Sequence, residues 1–306
     1  MTQELFSQLE ERGYKGRMMA IQHLRDLQEE IEGFRRQGLL DEEFYQERLT
    51  EFTFSPPDSL PNARSLIAVA VPQPQIRVTF TWNGTPMPLI VPPTYLHWRE
   101  TDKQVEDCLA EILGPQGYQV AQAALPKKLL AVHSGLGAYG KNNICYVDGM
   151  GSFHRLAAFY SDFPCWEDSW QELQMMERCQ NCVACLRKCP TGAITSERFL
   201  LHAERCITFR NEKPGHVPFP TWLDPSWHNC LVGCLLCQSI CPQNRDFLPW
   251  VEEGAEFSQE ETVLLWQGVT LDQLPTETVK KLHQLDLVDF LDIFPRNLSV
   301  LINRMQ

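Results

Sequence analysis

The first long helix is indicated by apolar residues that recur every three or four positions. Between residues 20 and 38 these positions are Ile21, Leu24, Leu27, Ile31 and Phe34. This spacing places them on one face of an amphipathic helix, which we expect to end near Gly38. Shorter helices are predicted over residues 41–52 and 100–113.

The strands are indicated by short apolar or β-branched runs. RSLIAVAVPQ (residues 64–73) follows a loop at 56–63 and predicts a buried strand. NICYV (143–147) and FHRLAAFY (153–160) are also predicted as strands. Residues 76–91 are rich in β-forming residues on both sides of Asn83-Gly84, a dipeptide typical of β-hairpin turns. Strands and helices that mix without a regular βαβ alternation predict an α+β sandwich.

Composition divides the chain into three segments. We expect an α+β body over residues 1–174, a cysteine-rich domain over 175–248 and a C-terminal segment over 249–306. The last segment is acidic and rich in leucine from Ser258 onward. This composition favours helices that pack back on the body.

The charge balance argues against a partner that is attracted at long range. The 306 residues include 27 Lys and Arg against 39 Asp and Glu, a net charge of −12. Such a chain does not attract polyphosphates at a distance. From Arg178 to Arg245, however, the chain contains eight basic residues and four acidic ones. We interpret this excess as compensation for buried thiolates, with a nucleic-acid footprint as the alternative.

The chain carries no recognisable export or membrane signal. Its first residues lack the apolar run of a signal peptide, and no twin-arginine pair precedes an apolar segment. No run reaches the roughly 18 apolar residues of a membrane span. We therefore expect a cytoplasmic protein with no membrane partner. Thiols stay reduced in that compartment, so the 12 cysteines are not expected to form disulfides.

Four cysteines within eleven residues form the most specific motif. Cys179, Cys182, Cys185 and Cys189 follow C-x2-C-x2-C-x3-C-P, the spacing of bacterial two-cluster ferredoxins. In that motif three thiolates bind one [4Fe–4S] cluster and the fourth binds another. Zinc is the alternative, but it usually binds pairs of C-x2-C separated by a longer spacer. The spacing therefore predicts two [4Fe–4S] clusters.

A second cysteine block leaves one ligand open. It supplies Cys234, Cys237 and Cys241, and a proline follows the last of these. One further thiolate is needed to complete two sets of four. Either Cys230 or Cys206 can provide it.

These motifs together resemble the epoxyqueuosine reductases, which are cobalamin-dependent enzymes with two [4Fe–4S] clusters, related to reductive dehalogenases. The resemblance covers most of the chain. It rests on LPNARSLIAVAV, HSGLGAYGKNN with GMGSF after it, both cysteine blocks, RCITFR and FPRNLSVLI. It implies a mixed-sheet sandwich, a nitroreductase-like cobalamin-binding body, with an inserted ferredoxin-like double-cluster domain.

The resemblance also implies a ligand set for each cluster. The first cluster would be bound by Cys179, Cys182, Cys185 and Cys241. The second would be bound by Cys189, Cys206, Cys234 and Cys237. Cys230 would then be unused.

By the same resemblance, one loop and one helix start would contact cobalamin. The implied contacts are Tyr95, Arg99, His133, Gly137, Tyr139, Gly140, Lys141 and Asn142. The loop is rich in glycine, which permits close approach of the backbone to a large ligand. Read without the resemblance, it is more simply an ordinary tight turn.

A proton donor is also implied, because removal of an oxygen as water needs general-acid help. The related enzymes have an aspartate in a Tyr-x3-Arg-Asp pattern. In YLHWRETD that position is occupied by Glu100, and Asp102 is the rival. The alternative for both is a solvated helix start, where acidic residues interact favourably with the helix dipole.

Two hypotheses follow. The first is a reductase that acts on an organic substrate through cobalamin supplied with electrons by two clusters. Its substrate would be epoxyqueuosine in tRNA, which the net charge disfavours, or a free small molecule. It would need an external low-potential electron donor of the flavodoxin or ferredoxin type. The second hypothesis is an electron-transfer or corrinoid-activating protein with no substrate of its own.

Overall fold

The computed structural model describes residues 2–304. Its strands are β1 (Lys15–Ala20), β2 (Ser65–Pro72), β3 (Gln75–Trp82), β4 (Thr85–Val91), β5 (Val120–Gln122), β6 (Ala138–Tyr139), β7 (Cys145–Tyr146), β8 (His154–Ser161) and β9 (Val251–Phe257). Its α-helices are α1 (Thr2–Glu11), α2 (His23–Arg36), α3 (Glu42–Phe44), α4 (Trp98–Leu113), α5 (Lys127–His133), α6 (Ala184–Lys188), α7 (Ile207–Asn211), α8 (Leu236–Ser239), α9 (Gln259–Gln267), α10 (Thr276–Gln284) and α11 (Phe294–Asn303). Within residues 2–304, every helix is too short or too polar to cross a bilayer.

Spatial proximity divides the chain into two compact units. Unit 1 comprises the residues up to 72, together with 99–183 and 195–201. Unit 2 comprises 73–98, 184–194 and the residues from 202 onward.

Unit 1 is built on a four-stranded antiparallel sheet in the order β1-β2-β8-β5. One face packs on α2 and α5 through residues such as Leu66 and Tyr160. The other face packs on α1 and α4 through residues such as Ile67 and Phe159. Because helices cover both faces, β2 is buried along almost its whole length. This double coverage explains its unbroken apolar run.

Unit 2 contains a three-stranded sheet in the order β4-β3-β9. Strands β3 and β4 form an antiparallel hairpin, whereas β9 pairs with β3 in parallel. Helices α9 and α11 pack on this sheet around Phe80, Phe257 and Phe294, all buried. The C-terminal helices therefore share one hydrophobic core with the hairpin.

The hairpin turn has the geometry that its sequence predicts. Asn83 and Gly84 both have positive φ, at 49° and 73°. These values are typical of the two-residue turns that match strand twist. The edge strand β4 exposes Pro86 and Pro88, which cannot donate backbone hydrogen bonds and so hinder edge-to-edge pairing.

The structure confirms the expected α+β class, including the buried strand at 65–72, the hairpin and the helices at 23–36 and 98–113. The strand predicted at 143–147 is only the short β7. Residues from Ser258 onward are mainly helical, as expected, within the described range. The domain boundaries at 174 and 248 stay a prediction. The two compact units follow a different division, in which residues 73–98 belong to unit 2.

Candidate functional site

Three of the four thiols predicted to bind the second cluster lie close together in unit 2. The charge of Cys234 raises the pKa of Cys206, and the charge of Cys189 raises the pKa of Cys234. Such interactions require that these thiols are near one another. Cys237, the fourth, lies on α8, which packs against α6. Elements that are far apart in sequence thus bring these thiols into one neighbourhood.

Cys206 occupies the N-cap position of α7. Burial and the neighbouring Cys234 raise the pKa of the Cys206 thiol to about 11, whereas hydrogen bonds from the backbone of Thr208 and Phe209 oppose this shift. If iron binds here, it would hold this sulfur as a thiolate. The two N–H groups then point at a thiolate, which is the hydrogen bonding that tunes iron–sulfur clusters.

Cys234 and Cys230 differ in their hydrogen bonds. Asn229 Nδ2 donates to Cys234 Sγ at 3.3 Å, while Cys230 Sγ donates to Asn229 Oδ1 at 3.1 Å. Burial raises the pKa of both thiols, and for Cys234 the bond from Asn229 opposes that shift. Cys230 is 2% exposed. It is therefore a buried donor to Asn229, and its sulfur also takes a backbone hydrogen bond from Leu235.

The loops that carry these thiols are fixed by α11. Asn297 Nδ2 donates to the carbonyl oxygens of Asn211 at 3.0 Å and Leu231 at 2.7 Å. Asn211 Nδ2 in turn donates to the carbonyl oxygen of Gly233 at 2.9 Å. Arg296 donates to the Asn211 carbonyl at 2.8 Å. From the sequence, FPRNLSVLI was recognised only as a family motif. These contacts show that its Arg296 and Asn297 hold the loops that carry the thiols.

Tyr95, predicted to contact cobalamin, lies beside the same thiols. Its hydroxyl donates to the Glu212 carboxylate. Burial, followed by the charge of Glu212, raises the pKa of Tyr95 well above its usual value, and Cys206 and Cys230 contribute. Within unit 2, Tyr95 is thus a neighbour of Cys206, one of the thiols predicted to bind the second cluster.

The thiols predicted for the first cluster divide between the units. Cys185 on α6 and Cys241 belong to unit 2, while Cys179 and Cys182 belong to unit 1. In unit 1, Lys141 Nζ donates to the carbonyl oxygens of Gln180 and Cys182, both at 3.0 Å. Lys141 therefore holds the start of the cysteine block rather than pointing away from it.

The glycine-rich loop of unit 1 is packed by its own residues. A Cβ on Gly137 would lie 2.7 Å from Cys145 Sγ, and one on Gly140 would lie 2.6 Å from Asn142 Oδ1. Asn142 is buried and donates to the Tyr146 hydroxyl at 2.9 Å. These glycines are required by close packing within the protein itself.

Tyr139 is also part of this packing. It is 5% exposed, and its ring contacts Phe199 edge-on. Burial raises the pKa of Tyr139, with a smaller contribution from Cys145. Its backbone bonds to Gln174 and Met176 tie the loop to the segment before the first cysteine.

His133 lies in a stack that sequence reasoning missed. The Trp170 ring stacks with the rings of both His23 and His133, at centroid distances of 4.1 and 4.3 Å. His133 Nε2 lies 2.6 Å from Glu30, and Nδ1 lies 2.7 Å from the Gln171 carbonyl oxygen. Burial alone would lower the pKa of His133, but these two hydrogen bonds outweigh it and the pKa is raised.

The two acid candidates on α4 have opposite environments. Asp102 is 5% exposed and accepts from Arg155 Nε and Nη2, both at 2.6 Å, with Lys127 Nζ at 3.4 Å. Glu100 is exposed and accepts from Gln104 Nε2 at 3.1 Å. Arg99, beside it, is exposed as well. The carboxylate of Asp102 is thus enclosed by basic side chains, whereas that of Glu100 lies at the surface.

The thiol-rich part of unit 2 fits an iron–sulfur cluster by its donor chemistry. None of the 12 cysteines forms a disulfide within the described residues. Several are buried together, and N–H groups point at the sulfurs of Cys206 and Cys234. For an amide-rich corrinoid, unit 1 offers three buried polar atoms without a hydrogen-bond partner in the described range, Asn143 Nδ2, His154 Nδ1 and Thr195 Oγ1.

A family model described as a 4Fe-4S double cluster binding domain matches residues 178–244. This match confirms the prediction of two [4Fe–4S] clusters over zinc. It covers both cysteine blocks and Cys206.

Several curated proteins named epoxyqueuosine reductase are similar in sequence. The protein from Escherichia coli is 39% identical over 127 residues, which is 41% of this chain and 32% of the relative. The protein from Pseudomonas aeruginosa is 33% identical over 150 residues, 48% of this chain and 40% of the relative. The matched region spans less than half the length of each of these relatives. The resemblance inferred from the motifs is confirmed.

Solved structures share the fold over nearly the whole chain. Epoxyqueuosine reductase from Bacillus subtilis has a TM-score of 0.71 at 22% identity, covering 98% of this chain and 80% of its own. An epoxyqueuosine reductase solved with an epoxyqueuosine-modified tRNA-Tyr stem loop gives 0.69 at 20% identity, with the same coverage. These likenesses show the mixed α+β fold.

Proposed function

We propose that the protein is a cytoplasmic, cobalamin-dependent reductase of the epoxyqueuosine reductase type, supplied with electrons by two [4Fe–4S] clusters. The observation that carries this proposal is the double-cluster domain at 178–244 within a chain whose fold follows epoxyqueuosine reductase over 98% of its length. The sequence likeness of 33–39% to curated epoxyqueuosine reductases supports the same activity.

The ligand sets are part of the proposal. Cys189, Cys206, Cys234 and Cys237 bind the second cluster, which is supported by the proximity of the first three in unit 2. The first cluster is bound by Cys179, Cys182, Cys185 and Cys241. An external low-potential donor, a flavodoxin or ferredoxin, supplies the electrons.

Unit 1 corresponds in this proposal to a nitroreductase-like, cobalamin-binding body. Cobalamin, when bound, would supply a reduced cobalt centre for attack on the substrate. Asn143 and His154, whose buried nitrogens lack partners in the described range, bind its amide side chains. The residues around them, including Lys141 and Asn142, act by holding the loop in shape.

Glu100 is the proton donor in this proposal. Conversion of an epoxide to an alkene with loss of water consumes two electrons and two protons. The Glu100 side chain is exposed and accessible to substrate and water, whereas the Asp102 carboxylate is occupied by Arg155 and Lys127. Asp102 therefore positions α4 and does not donate a proton.

The first test of the proposal is anaerobic reconstitution with iron, sulfide and hydroxocobalamin, followed by metal analysis and visible spectroscopy. Two cubane clusters and one corrinoid require about eight irons and one cobalt per chain. Asn143→Ala should lower cobalt retention without changing iron. Eight irons with no cobalt would contradict the reductase and leave a double-cluster electron carrier.

Turnover then tests the acid and the substrate. Glu100→Gln should retain both metals yet lose turnover, while Asp107→Asn on the same helix should stay active. Full activity of Glu100→Gln would refute its role. Both variants are assayed on an epoxyqueuosine-modified tRNA stem loop and on free epoxyqueuosine nucleoside. Reduction of the nucleoside alone would make the substrate a small molecule, as the net charge of −12 favours.

A second candidate, an electron-transfer or corrinoid-activating protein, is favoured by one observation. Most side chains predicted to contact cobalamin make their hydrogen bonds within the protein, as Asn142 and His133 do. Such a protein would reduce a partner's corrinoid while retaining none itself. The metal analysis above separates the two candidates.

A further inference from the structure

Asn229 lies between two cysteines of unit 2 and makes hydrogen bonds at both ends of its amide. Its Oδ1 accepts from the Leu235 N–H and from Cys230 Sγ, both at 3.1 Å. Its Nδ2 donates to the Trp227 carbonyl oxygen at 3.1 Å and to Cys234 Sγ at 3.3 Å. All four hydrogen bonds lie within one short stretch of chain.

Two of these partners fix which way the amide points. The Leu235 N–H can only donate, so it must face Oδ1. The Trp227 carbonyl can only accept, so it must face Nδ2. A flipped amide would oppose donor to donor and acceptor to acceptor at the same time. The backbone therefore determines that Cys234 receives a hydrogen bond and that Cys230 donates one.

We propose that Asn229 is a positioning residue for the second cluster, which rests on the ligand set proposed above. It holds the Cys234 sulfur by an N–H···S bond and raises the reduction potential of that cluster. At the other end of the amide, its Oδ1 accepts a hydrogen bond from the Cys230 thiol. Two cysteines only four positions apart are thereby separated into a ligand and a buried thiol.

The expected effect on the potential follows from charge. Reduction adds one negative charge to a cluster and its thiolates, and an N–H donor stabilises the more negative state. Hydrogen bonds to the sulfurs are among the factors that set cluster potentials. Burial strengthens this interaction, because the local dielectric constant is low around Cys234 and Cys230.

The experiment compares two uncharged, similar-sized substitutions in the reconstituted full-length protein. Asn229→Leu removes the bond to sulfur. Asn211→Leu is the matched control, because Asn211 holds the same loop through the Gly233 carbonyl. Potentials of both clusters are measured by anaerobic titration followed by electron paramagnetic resonance, and iron is counted in parallel.

We expect Asn229→Leu to disfavour one-electron reduction of one cluster about tenfold, a shift of about 59 mV to lower potential. The other cluster should not shift. Asn211→Leu should lose stability or iron, but any cluster that remains should keep its wild-type potential. If Asn229→Leu loses about four irons, Asn229→Asp supplies a second measurement, since it also cannot donate to sulfur and adds a charge. Its shift should have the same direction and be larger.

The outcomes separate this inference from the proposed function. Two clusters with unchanged potentials in both Asn229 variants would overturn the role of Asn229 alone. An equal shift of a cluster potential in Asn211→Leu would also overturn it, because a loosened loop would then explain the effect. A wild-type protein that binds fewer than two clusters would overturn the ligand sets and this inference together. Missing cobalt would leave the inference intact.

Discussion

Replacement of Asp102 by asparagine tests whether this residue is structural. The side chains of Asp102 and Arg155 are only 8% and 13% exposed. Two hydrogen bonds of 2.6 Å join the carboxylate to the guanidinium. Asparagine keeps the shape but turns an NH2 group toward a donor and leaves the charges of Arg155 and Lys127 unbalanced. Removal of one partner from a buried ion pair costs about 3–5 kcal/mol. We expect the free energy of unfolding in urea to fall by that amount.

The control is Asp107→Asn on the same helix. Asp107 pairs with Lys103 at 2.5 Å, but both side chains are more than half exposed. Exposed pairs of this kind contribute about 0.3–0.5 kcal/mol, so the control should unfold almost as the wild type does. The double variant Asp102→Asn with Arg155→Met removes the unpaired guanidinium charge and should recover much of the loss. If Asp102→Asn is as stable as the wild type, the structural role is refuted and Asp102 returns as an acid candidate.

Three further predictions concern the second cluster, the hydrogen bond of His133 and the contacts of Asn297. Cys206→Ala should lose about four of eight irons and Cys230→Ala none; equal loss in both would overturn the ligand assignment. His133 has a raised pKa, so its bond to Glu30 should stabilise the fold fully below about pH 6.5 and less as the pH rises through the raised pKa. The difference in melting temperature between wild type and His133→Gln should therefore shrink from pH 6 to pH 9, and a growing difference would contradict this. Asn297→Leu removes the side-chain donor to the Leu231 carbonyl and one of two donors to the Asn211 carbonyl, and should cost about 1–3 kcal/mol in urea unfolding.

The sequence predicted those parts of the fold that depend on local pattern. The run SLIAVAV, the Asn83-Gly84 turn and the three-to-four spacing of α2 each determine one element, and each appears as predicted. Strand β9 was missed, since VEEGAEF lacks the alternation of a typical strand and has only one β-branched residue, Val251. It forms because β3 offers a parallel edge 170 or so residues away, with Gln75 opposite Val251.

The candidate site divides in the same way. Cysteine spacing identified the metal chemistry, because a cluster motif is compact in sequence. The stack of His23, Trp170 and His133 could not be found, since its members come from α2, α5 and the segment after β8. Asn229 carries no sequence signal beyond its place next to Cys230. An asparagine adjacent to a cysteine near a cluster motif is the one local cue that could have drawn attention to it.

The choice between Cys206 and Cys230 shows why spacing alone cannot assign the ligands. Both residues lie near Cys234, and burial raises the pKa of both thiols. What distinguishes them is the balance of their hydrogen bonds. The backbone N–H groups of Thr208 and Phe209 both bond to Cys206. Cys230 has one such backbone bond, from Leu235, and itself donates to Asn229. A thiolate ligand needs donors around it, and a thiol that remains protonated needs an acceptor. These hydrogen bonds favour Cys206 over Cys230 in the proposed ligand set, and the iron contents of Cys206→Ala and Cys230→Ala test that choice.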